Sequence, residues 1–395
     1  MSPFVFTLVA VIICVLFRLL NVNSQSQKPL IVCQDKSFLE TIFKISPLFN
    51  EPYVPPRLWG FNGHVQTILH SLLGRLRCPW PIGKRTFLYL PDNSTLTYDV
   101  YEPLGPTFDE EVTIAVCPGI ANTSESVYIR TFVHYAQCHG YRCAVLNHLG
   151  ALSTVKLTSP RIFSYGHTDD FHIMLVDLTR KYPQSKIIAV GFSLGGNIVT
   201  KYLGEDREHP KNLISGVSVC QGYNAIEATK WLLNWNNFRR LYFFVLTEAV
   251  KSIILKHRYI LLSEETIRKF ELNERDIISA ATLPELDDVF TRKIYKFNSV
   301  KEMYYWSSSL HYLQNIKHPI IFINAKDDPL VPEELLEPVK KFCSTRDKSA
   351  FILLSHGGHL GFHEGGLIST NPVSWLDKAL IGLVGAMVLS HSDSK

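Results

Sequence analysis

The sequence predicts an α/β architecture, a mostly parallel central sheet flanked by helices with a helical cap inserted late in the sheet. Three observations carry the prediction. From about Thr113 onward, short apolar β-branched runs alternate with helix-like segments, the rhythm of a parallel sheet built from strand–helix–strand units. The strand candidates are continuous apolar runs, as expected where helices cover both sheet faces. The rhythm then breaks between about Asn224 and Asn315, where aromatic and basic residues such as Trp231, Trp235, Phe238 and Tyr242 crowd a stretch with no strand candidate. An interruption of about 90 residues is too long for a plain connection and reads as a cap.

Taken in order, Thr113–Cys117 reads as a strand and Ser124–His139 as a helix. Arg142–Asn147 is the next strand, His167–Tyr182 the next helix and Lys186–Gly191 a third strand. Leu194–Leu203 is helical and Ile214–Gln221 is a fourth strand. After the cap come a strand at Ile320–Asn324, a helix from Glu333 to Phe342, a strand at Phe351–Leu354 and a final helix from Pro372. Ahead of this core, Phe87–Leu90 and Thr97–Tyr101 suit an antiparallel hairpin at the sheet edge. The expected organisation is an N-terminal membrane anchor at 1–24 and an extension with the edge hairpin at 25–112. The first part of the core is 113–223, the cap 224–316 and the second part of the core 317–395.

The anchor is expected from the apolar run Pro3 to Phe17, which carries no charge. With Arg18 reaching to the interface, Pro3 to Val22 spans ~30 Å at ~1.5 Å per residue, enough for a bilayer core. The rival is a cleaved signal peptide, suggested by the small side chains of Val22 and Ser24, but no basic residue precedes the apolar run. Arg18 and Lys28 after the segment favour a cytosolic catalytic side. The sequons Asn93-Ser94-Thr95 and Asn122-Thr123-Ser124 favour glycosylation in a lumen.

The chain has 395 residues, with 40 Lys plus Arg against 36 Asp plus Glu and a net charge of +4. That balance is too even to suggest nucleic acid as a partner. The eight cysteines include no Cys-x-x-Cys pair, and Cys117, Cys143 and Cys220 fall in strand runs where a free cysteine is a small hydrophobe. No metal cluster or phosphate loop is recognisable. We therefore expect no cofactor, no metal and no obligate protein partner.

The chemistry is carried by Gly191-Phe192-Ser193-Leu194-Gly195. This G-x-S-x-G sits between a strand and a helix, the context of a nucleophile elbow, where glycines permit a sharp turn that lifts the serine hydroxyl above the sheet. A serine needs a base, and the base needs an orienting acid. In the α/β-hydrolase fold these follow in the order Ser, Asp or Glu, His. After Ile320–Asn324 come Asp327 and Asp328, and the Asp-x-x-Val-Pro register favours Asp328, leaving Asp327 as a helix-side cap. After Phe351–Leu354 come His356 and His359. The Gly357-Gly358 pair lets the loop bring His359 to the nucleophile, so His359 is favoured as base.

The oxyanion hole is expected after the first parallel strand, at Cys117-Pro118-Gly119-Ile120, with the Ile120 and Leu194 amides as donors. Losing one such donor costs on the order of 3 kcal/mol of transition-state stabilisation. His172-x-x-x-x-Asp177 has the spacing of some acyltransferases, but five residues on a helix separate two side chains by about 140°, so it reads as ordinary helix surface.

Gly191-Phe192-Ser193-Leu194-Gly195-Gly196-Asn197 resembles the nucleophile segment of the AB-hydrolase-4 family. Trp59-Gly60, Asn62-Gly63-His64-Val65-Gln66-Thr67 and His356-Gly357-Gly358-His359-Leu360-Gly361-Phe362 resemble that family too, as do Pro118-Gly119-Ile120-Ala121-Asn122 and Asn147-His148-Leu149-Gly150-Ala151-Leu152. The similarity runs from about Tyr53 to Leu376 and departs mainly in the cap. The resemblance implies a triad of Ser193, Asp328 and His359 and hydrolysis of monoacylglycerols and other carboxylic esters. It also implies a single-pass, type II membrane protein with its catalytic domain outside the cytosol. Two other functions stay open on the same fold: a non-catalytic lipid or steroid receptor or scaffold, and an acyltransferase.

Overall fold

The computed structural model describes residues 3–72, 78–106 and 110–392. The outermost residues of the ranges 1–24 and 317–395, and short stretches of 25–112, lie outside them. Nine strands form one sheet: β1 Leu30–Val32, β2 Lys84–Tyr89, β3 Thr95–Tyr101, β4 Val112–Cys117, β5 Arg142–Asn147, β6 Lys186–Phe192, β7 Leu213–Val219, β8 Ile320–Ala325 and β9 Ser349–Leu354. Their spatial order is β1-β9-β8-β7-β6-β4-β5-β3-β2. Strands β4 to β9 pair in parallel. The β2–β3 hairpin is antiparallel at one edge, as expected, and β3 also pairs antiparallel with β5. At the other edge β1 pairs antiparallel with β9, a strand the sequence did not suggest because three residues give no period to read.

The continuous apolar runs have the cause inferred for them. In β4, Ala115 and Cys117 belong to the cluster on one face of the sheet, Ile114 and Val116 to the cluster on the other. In β6, Ile187 and Ala189 divide from Ile188 and Val190 in the same way. Alternate side chains thus enter two cores, so no position in the strand can be polar without cost. The helix after β6, Leu194–Gly204, is buried along its whole length.

Helix ends differ from the expected bounds where a local group intervenes. The segment Glu333–Phe342 divides into a 3-10 turn, Glu333–Leu336, and a helix, Glu337–Cys343. Pro338 lacks an amide hydrogen and fits only a first turn. The final helix runs Trp375–Ser392. Its start is fixed by Ser374 and Asp377, whose side chains each accept the other's backbone N–H, at 3.2 and 3.0 Å. Between β7 and β8, the segment from Ala225 to Asn315 folds as short helical pieces, the longest Arg239–Lys256, with no strand among the described residues.

The N-terminal helix departs from its expectation. It spans Pro3–Leu19 and stops before Val22. Asn21 adopts a positive φ of 55° and its side-chain amide donates to the Phe61 carbonyl at 3.3 Å. Asn62 donates to the Leu19 carbonyl. The last residues expected in the span are therefore tied to the extension. The helix reaches about 25 Å at ~1.5 Å per residue. No helix among the described residues is long and apolar enough to cross a membrane.

Candidate active site

Ser193 stands at the C-terminal end of β6 with φ 54° and ψ −116°, a conformation that costs an L-residue of the order of 1–3 kcal/mol and recurs at active sites. The turn holds because its neighbours have no side chains. A Cβ on Gly195 would lie 1.9 Å from the Cys117 carbonyl oxygen, and one on Gly191 would lie 2.2 Å from the Gly195 oxygen. The glycines thus lock the elbow against the end of β4. The Ser193 amide donates to the Val219 carbonyl at 2.8 Å, tying the elbow to β7 as well.

The loops after β8 and β9 meet the serine. Nε2 of His359 lies 2.8 Å from Ser193 Oγ, and its Nδ1 lies 2.8 Å from Asp328 Oδ2. A carboxylate only accepts, so Nδ1 carries the proton and Nε2 is free to accept from the serine hydroxyl. Asp328 is buried and its other oxygen accepts the Leu330 and Val331 amides at 2.8 and 3.0 Å. This explains the Asp-x-x-Val-Pro register: the backbone two and three residues on holds the carboxylate. Asp327 instead accepts the Gly358 amide at 2.9 Å and faces His356 Nδ1 at 3.4 Å, so this second pair braces the histidine loop without touching Ser193.

Ile120 and Leu194 both line the cavity around Ser193. Neither amide makes a hydrogen bond within the described residues. The Gly119 amide is taken by the Tyr128 hydroxyl at 2.9 Å, which leaves Ile120 as the first unengaged amide on that turn. The loop is pinned from behind. The Asn122 side chain donates to the Ile120 carbonyl at 2.6 Å, and His148 Nε2 to the Pro118 carbonyl at 2.9 Å. The amide of Asn122 thus points into its own loop, whereas Asn93 is exposed at the hairpin turn between β2 and β3.

His172 and Asp177 do not meet. His172 bonds the Tyr202 hydroxyl at 3.0 Å, and Asp177 pairs with Lys181 at 2.9 Å while accepting from Tyr98. For a metal, Cys220, Asp328 and His359 bring their donor atoms within 4.8 Å of one another. Both nitrogens of His359 are engaged by Ser193 and Asp328, and burial beside Asp328 holds the Cys220 thiol well above its ordinary range, away from the thiolate a metal needs.

Three supporting residues escaped the reading of the sequence. Thr67 Oγ1 accepts the His359 amide at 2.8 Å. Gln66 accepts the His363 amide at 3.0 Å and donates to the Tyr53 hydroxyl at 2.9 Å and the Gly60 carbonyl at 2.8 Å. Tyr53 in turn donates to the His363 carbonyl at 2.7 Å. The extension ahead of the core therefore clamps the histidine loop from both ends. The signal available was the segment Asn62–Thr67, distinctive as a family resemblance but silent about what it touches.

The cavity has a volume of about 140 Å³, some ten times what one water needs. Its walls come from the core near Ser193 and from the helical insertion, including Leu232, Phe243, Val250 and Met303.

Residues 112–366 match the family described as alpha/beta hydrolase fold. Among curated proteins, the chain is 61% identical over 396 residues to "Abhydrolase domain-containing protein 2" of Drosophila melanogaster, covering 100% of this chain and 99% of that one. It is 43% identical over 383 residues to "Monoacylglycerol lipase ABHD2" of Homo sapiens, covering 96% and 90%. Among solved structures, an esterase of Pyrococcus furiosus superposes with a TM-score of 0.50 at 15% identity, covering 78% of this chain and 91% of that one. That likeness speaks to the fold alone.

Proposed function

The chain belongs to the alpha/beta hydrolase fold family, and from that membership we propose that it is a serine hydrolase cleaving carboxylic esters of lipids, monoacylglycerols among them. The observation that carries the proposal is the continuous hydrogen-bonded line Ser193–His359–Asp328 at the wall of a mainly apolar cavity. The named activity of the human relative supports acylglycerols as substrates.

In this mechanism His359 takes the Ser193 proton as Oγ attacks the ester carbonyl, and Asp328 stabilises the imidazolium and keeps its tautomer. The Ile120 and Leu194 amides receive the oxyanion, each worth on the order of 3 kcal/mol. The imidazolium protonates the departing alcohol. Water, deprotonated by the same ring, then attacks the acyl-serine, the acyl–Oγ bond breaks, and the imidazolium returns its proton to Ser193 Oγ as the fatty acid leaves. A receptor has no use for this complete line of groups, and His172 and Asp177 of the acyltransferase spacing are taken up by Tyr202 and Tyr98.

We divide the chain in the same reading into an anchor at 1–24, an extension to 112, core segments at 113–223 and 317–395, and a cap at 224–316 over the serine. The anchor places the enzyme on a membrane. Phe6, Leu8, Val11, Ile12 and Phe17 of the N-terminal helix are exposed, as are Trp235, Phe238, Leu241 and Phe244 of the cap. The two surfaces adjoin, because Asn62 bonds Leu19 while His64 stacks on Tyr242 and meets Phe238 edge-on. Single lipid-facing residues are common on any surface, but a grouped set next to an apolar helix is suited to a bilayer. At about 25 Å the helix is short of a crossing length, and its exposed apolar side chains suit attachment to the bilayer. Type II insertion would put the exposed Asn93 in a lumen, where it is a better glycan acceptor than Asn122.

The test is fatty-acid release from a 1-monoacylglycerol in mixed micelles. The wild type turns over, and Ser193→Ala loses about four orders of magnitude or more in kcat with an unchanged melting curve. Equal release by the two proteins would refute the proposal.

A further inference from the structure

The cavity that meets Ser193 has a second polar feature on its cap wall. Among the described residues no lysine or arginine lines this cavity, and the carboxyl that does belongs to Asp287. Asp287 opens a π-helical turn, Asp287–Thr291, a widened geometry found mostly as single turns at functional sites. Both ends of that turn, Asp287 and Thr291, reach the cavity wall. Tyr304, from the helix Val300–Ser307, also lines it and donates its hydroxyl to Asp287 Oδ2 at 2.6 Å.

This carboxyl can take more donors than the protein gives it among the described residues. Its two oxygens can accept about four hydrogen bonds, and the Tyr304 and Thr291 hydroxyls supply two of them. Burial, only partly offset by the Tyr304 and Thr291 hydroxyls, pushes its pKa up to about 6. A carboxyl in an apolar wall with no cation beside it among the described residues calls for further donors. It lines the same cavity as Ser193.

We propose that Asp287 and Tyr304 form a substrate-recognition subsite in which a hydroxyl group of the lipid ester donates to the Asp287 carboxyl. The inference rests on the serine-hydrolase reading of this cavity and adds the part of the substrate that the cap selects. An acylglycerol carries hydroxyl groups and no cation, so a hydroxyl is the donor it can offer this carboxyl. Two parts of a lipid ester offer such a group: the free hydroxyls of a glycerol moiety, or a hydroxyl on the acyl chain. The recognition chemistry is the same for both.

The experiment compares kcat/KM of the full-length wild type, Asp287→Leu and Asp287→Asn on three esters of one long-chain acid. These are the methyl ester, the 1-glyceryl ester, and the methyl ester of the same acid hydroxylated at its chain end. The wild type is expected to prefer one hydroxyl-bearing ester over the plain methyl ester by about ten- to a hundredfold, the range of a hydrogen bond to a charged or strongly polar group. Asp287→Leu is expected to erase most of that ratio, and preference for the glyceryl or the chain-end ester identifies the source of the hydroxyl. If Asp287→Leu does not fold, Asp287→Asn, which keeps the volume and an acceptor for Tyr304, carries the comparison and is expected to reduce the ratio. The same ratio in wild type and variants, or no preference in the wild type, would overturn the subsite. Fluorophosphonate labelling of Ser193 in each protein separates the two readings. Labelling with unchanged ratios refutes the subsite alone, and unlabelled, folded wild type refutes the hydrolase reading beneath it.

Discussion

Oγ1 of Thr67 accepts the backbone N–H of His359 at 2.8 Å, joining residues 292 positions apart in the chain. The same hydroxyl donates to the Gly63 carbonyl at 2.7 Å, so its orientation is fixed before it meets the histidine loop. On the other side of that loop, Asp327 holds the Gly358 amide. The imidazole thus sits between a helix of the N-terminal extension and the turn after β8. Its placement is a property of the tertiary structure, more than of the loop that carries it.

Thr67→Val removes the acceptor and leaves the His359 amide unsatisfied, at a cost of about 1–3 kcal/mol. Activity is expected to fall about tenfold or more, mainly in kcat, and Thr67→Ser is expected to restore it. Steady-state kinetics on a short-chain ester check this, and equal kcat in Thr67→Val and wild type would contradict it.

The two neighbouring aspartates are expected to separate sharply. Asp328→Asn cannot hold the Nδ1–H tautomer and should lower kcat by about 10⁴, the loss known for a triad carboxylate made into an amide. Asp327→Asn keeps an acceptor for Gly358 and should lose about tenfold at most. A reversed ranking in parallel assays would move the acid role to Asp327.

Gly195→Ala brings a Cβ against the Cys117 carbonyl at 1.9 Å. Backbone must shift at the centre of the sheet, so the variant is expected to lose several kcal/mol and to accumulate little folded protein. A Cβ on Gly366 meets nothing within 4 Å, and Gly366→Ala should stay within about 0.5 kcal/mol of wild type in urea unfolding. Matching stabilities would show that the elbow tolerates a side chain.

Asp287 gives a stability signature in pH. Its folded pKa, raised by burial to about 6, lies above the ordinary aspartate value of 3.8. Between those values the native chain holds a proton that the unfolded chain has released, so the Asp287 contribution falls as pH rises through this window. Asp287→Asn binds no proton in this window. The stability of Asp287→Asn relative to wild type is expected to increase from pH 4 to pH 7, read by urea unfolding at both values. A difference independent of pH would place the folded pKa near its ordinary value.

Membrane association is expected to depend on the exposed N-terminal helix. The double variant Leu8→Arg, Ile12→Arg should shift the full-length chain from the membrane pellet to the supernatant on alkaline extraction, because each central arginine costs about 3 kcal/mol in a bilayer. Unchanged pelleting would assign attachment to another surface.

The order and local context of the site were legible because they are written in short segments. Gly191 to Gly195 needs only its flanking strand and helix to be read as an elbow. Asp328 was separable from Asp327 because the residues that hold its carboxylate, Leu330 and Val331, lie two and three positions away. The parallel core was legible because both faces of β4 and β6 are buried, which leaves an unbroken apolar signature.

What stayed hidden depends on distant partners or on very short elements. Thr67, Gln66 and Tyr53 are common residue types whose roles arise from bonds to residues about 300 positions away. The strand β1 exists because β9 offers it an edge. The N-terminal helix ends at Leu19 because Asn21 and Asn62 bond across to the extension and its own turn, where hydropathy alone continues to Val22. Asp287 is one acidic residue in a helical stretch, and only the cavity gives it significance.

The most direct measurement of the central claim is labelling of purified full-length protein with a fluorophosphonate probe, wild type beside Ser193→Ala. The account predicts covalent labelling of the wild type at Ser193 and none in Ser193→Ala. A folded wild type that takes no label, or a Ser193→Ala protein labelled as strongly as wild type, would contradict it.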